Sequence, residues 1–196
     1  MALPEVPPAY VPRHTSTLKI PELKKRLGFK TEYLFTYTMQ LPEDDPPFII
    51  GNGADGISMI ITERGTRVSG PRINGSFIRD GNDYVTLRPD GSSIHEVRCV
   101  ILTDDGARIK FTYKGKGDFG PTGYQDVLDG KMPEKVKIKC GPHMETAHPA
   151  YQWVNGVQCL EVGEVNVVEN MYIWEIYLKS DTERSNAYGT LVIWFQ

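Results

Sequence analysis

The sequence predicts an all-β protein, and three observations predict it. From residue 31 onward aromatic and β-branched residues alternate with polar ones in runs of strand length, "TEYLFTYTMQL" being the first. Turn chemistry punctuates the runs as Asp-Gly, Asn-Gly, Gly-Asn and Pro-Asp-Gly. No long helical periodicity and no internal repeat interrupts them. Many short antiparallel strands without helices between them leave a sandwich or a closed barrel.

The charges in "GPRINGSFIRDGNDYVTLRPDGSSIHEVRCVILTDDGARIKFTY" decide between the two. The inner face of a sandwich is dry and apolar, whereas a barrel that encloses a ligand can aim a few polar groups inward. The expected fold is therefore an antiparallel β-barrel with an internal ligand cavity and an N-terminal arm.

The elements follow in order. Residues 1–30 form a Pro-rich arm with a short helix in "STLKIPELKKRLGF", where Pro21 favours the start and Leu23 and Leu27 lie four apart. Residues 31–196 form the barrel domain. Within it "RPDGS" and "TDDGA" are hairpin signals, the second placing Asp105-Gly106 in a two-residue primed turn. "YKGKGDFGPTGYQDVLDGKMPEK" has little pattern and is a long excursion of the kind that covers a site. "KVKIKC", "VQCLEVGEVNVVENMYIWEIYLK" and "GTLVIWFQ" are again strands. Leu191 to Phe195 in the last are apolar on both faces. That strand either pairs into the barrel under the N-terminal arm or contributes to a homo-oligomer interface.

With 196 residues, 40% of them hydrophobic, and a net charge of −3, the chain suits one domain and has no basic footprint for nucleic acid or a membrane surface. No signal-peptide core and no run of about 18 apolar residues is present, so a cytoplasmic protein is expected. Cys99, Cys140 and Cys159 are odd in number and far apart, which suits three buried or half-buried thiols in a reducing compartment. "HMETAH" holds His143, Glu145 and His148, but the histidines are five apart with no third ligand cluster, so no metal is expected. "GNGADG" precedes the strand-like "ISMIIT" rather than a helix, and reads as a turn instead of a phosphate cradle.

Alternation puts Glu96, Arg98, Val100 and Leu102 on one face of their strand and His95, Val97, Cys99 and Ile101 on the other. Both faces are partly apolar. Arg98 is expected to point inward with Glu96, where the two could meet one ligand or simply pair with each other. Asp90, in "RPDG", is expected to bond nearby backbone amides. Asp83, in "GNDY", is open between a turn role and a site role.

These ordered motifs resemble the domain of unknown function 3237 family: Gly-Pro-Arg, a Gly-rich turn with Asp-aromatic, Arg-Pro-Asp-Gly, acid-x-Arg, then Thr-Asp-Asp-Gly. "YLFTYTMQL" and "GNGADGIS" fit its first strand and glycine turn, and "METAHPAYQWVN" is similar to its Glu-Thr…Tyr-x-Trp-x-Asn segment, so residues 31–178 are covered. Tyr84 stands where the family usually has Trp, and Glu96 where it more often has Asp. The resemblance implies a calycin-like antiparallel barrel. It also implies, from fungal members of aromatic polyketide pathways, a cofactor-free ring closure in which a phenol adds across a prenyl alkene. Carried onto this chain, the family's polar positions are Arg72, Asp83, Arg88, Glu96, Arg98 and Glu145, with Tyr84, Tyr151 and Trp153 as aromatic walls. All are expected to converge in the barrel interior.

Such a hydroalkoxylation needs a proton delivered to carbon, a phenol oxygen as nucleophile and exclusion of water, but no cofactor. Glu96, Asp83 or Glu145 could be the acid, and Arg72, Arg88 or Arg98 the anchor of a phenolate substrate. Arg98, beside Glu96, is counted with the catalytic set. A non-catalytic barrel that binds a small aromatic or apolar ligand would want the same half-polar lining.

Overall fold

The computed structural model describes residues 29–41, 45–63, 66–167 and 169–181. The expected N-terminal arm and helix and the expected last strand, "GTLVIWFQ", lie outside the described residues. The strands are β1 (Phe29–Met39), β2 (Phe48–Gly53), β3 (Gly56–Glu63), β4 (Arg67–Ser69), β5 (Gly75–Leu87), β6 (Ser92–Thr103), β7 (Arg108–Asp118), β8 (Lys135–Glu145), β9 (Gln158–Asn166) and β10 (Met171–Asp181). A short helix, α1 (Gly123–Leu128), sits in the β7–β8 excursion, and a 3-10 segment, Pro149–Gly156, joins β8 to β9.

Eight of these strands close a ring, β5-β4-β1-β10-β9-β8-β7-β6 and back to β5, with β3 and β2 extending from the same sheet. The pairings β1–β4, β2–β3, β3–β5, β4–β5, β5–β6, β6–β7, β7–β8, β8–β9 and β9–β10 are antiparallel. β3 and β4 lie end to end along one edge of β5, pairing with Gly81–Leu87 and with Gly75–Ser76. The other edge of β5 pairs with β6, and a bulge between Ile78 and Asn82 separates two stretches of regular register. Both predicted hairpin turns are present, but Asp105-Gly106 is not the two-residue primed turn expected: Asp105 keeps a negative φ, Gly106 N donates to Thr103 O and Thr103 N to Ala107 O, so a type I turn is closed by glycine at φ 92°, as Gly91 closes the other at 80°. Asp90 accepts bonds from the Ser92 amide and hydroxyl, as its turn context predicts.

The interior is filled by an aromatic belt in which Tyr37 stacks on Trp174 (4.9 Å between centroids, 17° between planes) and meets Phe77 and Phe111 edge-on. Such pairs contribute about 0.5–1.5 kcal/mol each beyond the area they bury. Glycine makes room for the belt, because a Cβ on Gly163 would lie 2.2 Å from Trp174 Cδ1. The three thiols are free and buried.

One end of the barrel is closed by the 3-10 segment, which packs Val154 into the core. Here Asn155 and Thr146 bond reciprocally at 2.8 and 2.9 Å, Tyr151 Oη donates to Asp105 at 3.1 Å, and Arg67 forks onto Asp104 at 2.7 and 2.6 Å. At the opposite end the β1–β2 and β9–β10 connections and the β7–β8 excursion bring Pro47, Val167, Phe119 and Met132 around the mouth of a cavity.

Candidate functional site

The cavity has a volume of about 40 Å³, room for a few water molecules, and runs inward from that mouth. Its walls are apolar, Met39, Met59, Ile61, Val85 and Trp174 among them, except for three polar residues at its inner end: Glu63, Asp83 and His95. The pleat explains why these three point in. On β3 the buried positions Ile57, Met59 and Glu63 are in phase, and the β3–β5 pairing puts Asp83 opposite Ile61 on the same face. The β5–β6 pairing then places Val85 opposite His95 and Asp83 opposite Val97.

Asp83 Oδ2 lies 2.7 Å from His95 Nδ1, and its Oδ1 accepts the Glu96 amide at 3.2 Å. His95 Nε2 lies 2.8 Å from Ser93 Oγ. Glu63 is 2% exposed, and its Oε1 accepts a bond from Tyr113 Oη at 3.3 Å while Oε2 has no partner among the described residues. Burial pushes the Glu63 carboxyl up to about 8, and the charges of Asp83 and Glu161 push the same way. A second buried acid, Glu161, takes a 2.5 Å bond from Tyr37 Oη, and its Oε2 has no partner among the described residues. Burial raises Glu161 to about 8 as well, against the opposing bonds from Tyr37 and Cys140. The interior thus holds two carboxyls that are protonated at neutral pH beside the Asp83–His95 pair.

Of the residues expected to converge inside, the structure places only Asp83 there. Glu96 and Arg98 point outward; Arg98 is 76% exposed and donates to Glu96 at 2.9 Å, while Lys114 approaches Glu96 from the next strand at 3.0 Å. These bonds hold the Glu96 carboxyl below its usual range. Tyr84 is exposed, and with Asn82, Glu96 and Arg98 it lines a shallow hollow on the outer wall. Glu145 is exposed and paired with Lys110 at 3.1 Å, and Arg88 is exposed near the β5–β6 turn. Arg72 lies over the Trp153 ring at 3.6 Å, and with Tyr151 both belong to the closed end of the barrel. The correction has one cause on β6: alternation there runs one residue out of phase with expectation, so His95, Val97, Cys99 and Ile101 face in. No lysine or arginine is among the buried polar residues described, so the expected arginine anchor for a phenolate is not in the cavity.

Sequence reasoning missed Glu63 and Glu161. For Glu63 a signal existed: in "ISMIITE" it keeps phase with Ile57 and Met59. For Glu161 none did, because Leu160 and Val162 on the opposite face are apolar yet exposed at 38% and 46%.

The sequence profile of the family described as protein of unknown function (DUF3237) matches residues 29–177, and the chain belongs to that family. A UPF0311 protein from Rhodopseudomonas palustris is 32% identical over 137 residues, 68% of this chain and 86% of the other. A solved β-barrel-like protein from Acinetobacter baumannii superposes with a TM-score of 0.63 at 25% identity, covering 78% of this chain and 97% of its own. An enzyme from Penicillium herquei shares the fold at a TM-score of 0.54 and 20% identity, over 78% of this chain and 95% of its own.

Proposed function

We propose that this member of the family is a cofactor-independent cyclase, an isomerase that closes an oxygen heterocycle on a prenylated aromatic polyketide by intramolecular hydroalkoxylation. The observation that carries the reading is Glu63: a buried carboxyl, protonated at neutral pH, with one oxygen unpartnered, on the wall of an apolar cavity. That the fold is shared with a fungal enzyme supports it further.

In this reading the aromatic ring sits at the mouth between Phe119, Pro47, Met132 and Val167, and the alkenyl arm reaches inward. Methionines line the path and can shift to admit it. Glu63 gives its proton to the less substituted alkene carbon, the π bond breaks, and the positive charge forms on the more substituted carbon. The phenol oxygen donates a lone pair to that carbon and closes the ring. The phenolic proton then returns to the Glu63 carboxylate, so the product is an isomer of the substrate and nothing is oxidised. The Asp83 carboxylate stabilises the transient cation, and the apolar walls keep water from capturing it. The phenol enters neutral, consistent with an interior that holds no lysine or arginine among the described residues.

The test uses a 2-prenylated naphthol in D₂O, with product followed by mass spectrometry and chiral chromatography. The expected product is the cyclic ether with one deuterium on carbon, formed at least ~100-fold more slowly by Glu63→Gln. Cyclisation by Glu63→Gln at the wild-type rate overturns the assignment of the acid. Tight binding of the probe without product, by a folded protein, favours the non-catalytic ligand-binding barrel.

A further inference from the structure

The Asp83–His95 pair continues one residue further, to Ser93, in a way the ring closure does not use. Ser93, His95 and Asp83 are each at most 4% exposed and form an unbroken chain, Oγ to Nε2 at 2.8 Å and Nδ1 to Oδ2 at 2.7 Å. The arrangement has the order of a nucleophile, base and acid, yet Ser93 does not line the cavity and no guest can reach its hydroxyl there. Its hydroxyl has one hydrogen-bond partner among the described residues, His95 Nε2. Bonded at both ring nitrogens, the imidazole is held in one orientation between Ser93 and Asp83, with Nδ1 on the carboxylate side. Space for this chain is left by Gly117 on the neighbouring strand, where a Cβ would lie 2.4 Å from Ser93 Oγ and 3.0 Å from His95 Nε2.

We propose that Ser93 and His95 are positioning residues for the acid: they hold Asp83 as a fixed carboxylate on the wall it shares with Glu63, and so keep the proton on Glu63. The proposal rests on the reading of Glu63 as the acid. The groups facing Glu63 from the surrounding strands are Asp83 on β5, His95 and Cys99 on β6, Tyr113 on β7, Cys140 on β8, Glu161 on β9, and Tyr37 and Tyr172 on β1 and β10. Burial raises the phenols and thiols above their ordinary range, so they stay neutral near pH 7. Among the described residues that leaves Asp83, His95 and Glu161 as the polar groups of this set that bear on Glu63. Of these Asp83 acts most strongly, second only to burial itself. Without the Ser93 hydroxyl, Nε2 is a buried polar atom with no partner among the described residues; the ring is then free to turn away from Asp83, which loosens the carboxylate and weakens its field at Glu63.

The experiment reads Glu63 directly in the ligand-free protein, by infrared difference spectroscopy of the protonated-carboxyl stretch from about pH 5 to pH 10, a range set by the raised acid. Loss of the band in Glu63→Gln assigns it. Asp83→Asn and Ser93→Ala are expected to lower the midpoint of that band by about one pH unit or more, with Ser93→Thr restoring it. The band of Glu161, assigned by Glu161→Gln, is expected to move less, since Asp83 is the weakest influence on it. Should Ser93→Ala fail to fold, Gly117→Ala displaces the same chain. An unchanged Glu63 midpoint in folded Asp83→Asn and Ser93→Ala overturns the proposal. Because no substrate is used, this outcome is independent of whether the prenylated naphthol cyclises.

Discussion

Glu63 and Asp83 stand one register step apart on the inward face of adjacent strands, Glu63 opposite Gly81 and Asp83 opposite Ile61. Two carboxyls so placed in an apolar interior do not both ionise near neutrality. Their hydrogen bonding differs. Asp83 receives the Glu96 amide and the His95 ring, whereas Glu63 receives one long bond from Tyr113.

Stability should therefore fall as pH rises through the neutral range. Glu63 and Glu161 ionise near 8 in the folded protein and at about 4.3 in the unfolded chain, so between those values the folded state binds more protons. Their contribution is full below about pH 4.3, declines as pH climbs and is flat above about pH 9. Urea midpoints across this range should show the decline, and Glu63→Gln should make it shallower. An identical slope in the variant would contradict the raised acid.

Changes on the outer wall should be silent. Arg98→Leu, Glu96→Gln and Glu145→Gln alter exposed ion pairs, and turnover of the prenylated naphthol should stay within about twofold of wild type. If Arg98→Leu instead removed ligand binding with the barrel intact, the hollow of Asn82, Tyr84, Glu96 and Arg98 would be the site.

At the closed end, Arg72→Ala should lower stability without touching the chemistry. It removes a cation over the Trp153 ring, worth roughly 0.5–1 kcal/mol or about 1–4 °C in Tm. A thermal melt and an activity assay on the same preparation check both halves.

The interior should reject anions. A carboxylate on the alkenyl arm would meet Asp83 with no lysine or arginine among the described buried residues to offset it, and should weaken binding at least ~10-fold. Competition between the neutral and carboxylated probes measures this.

Gly163→Ala should destabilise the barrel by about 1–3 kcal/mol, because the new methyl must displace the Trp174 ring from its stack on Tyr37. Chemical denaturation followed by tryptophan emission reports both the loss and the altered ring environment.

The all-β character and the turns were legible in the sequence because Pro-Asp-Gly and Asp-Gly impose backbone geometry locally. β7 was legible too: Ile109, Phe111 and Tyr113 are buried between exposed or half-buried polar residues. β6 was not, because both of its faces carry aliphatics, and a pattern of period two gives no phase when either choice buries something apolar. The motif shared with the family also drew attention to the wrong place. Arg72, Tyr151 and Trp153, together with Asp105 and Asn155, close one end of the barrel, whereas of the two acids that line the cavity the motif holds Asp83 alone, and Glu63 is a single glutamate in ordinary strand sequence.

The seam at which β1 meets β10 has a consequence for how the protein is made. Around it, Tyr37 on β1 bonds Glu161 on β9, 124 positions away in the chain, and Leu41 is clipped across 129 to Asn170 in the β9–β10 connection. The first strand can pair with β4 early, but its other edge must wait through synthesis of nearly the whole barrel before β10 exists, with Leu34, Phe35 and Tyr37 incompletely covered meanwhile. Long-range closure of this kind places folding in the millisecond-to-second range and leaves a sticky edge open during translation. The acid pocket, which borrows walls from both sides of the seam, comes into being only at that final step, so a nascent or nicked chain lacking β10 carries every residue of the Glu63–Asp83–His95 cluster and still has no site.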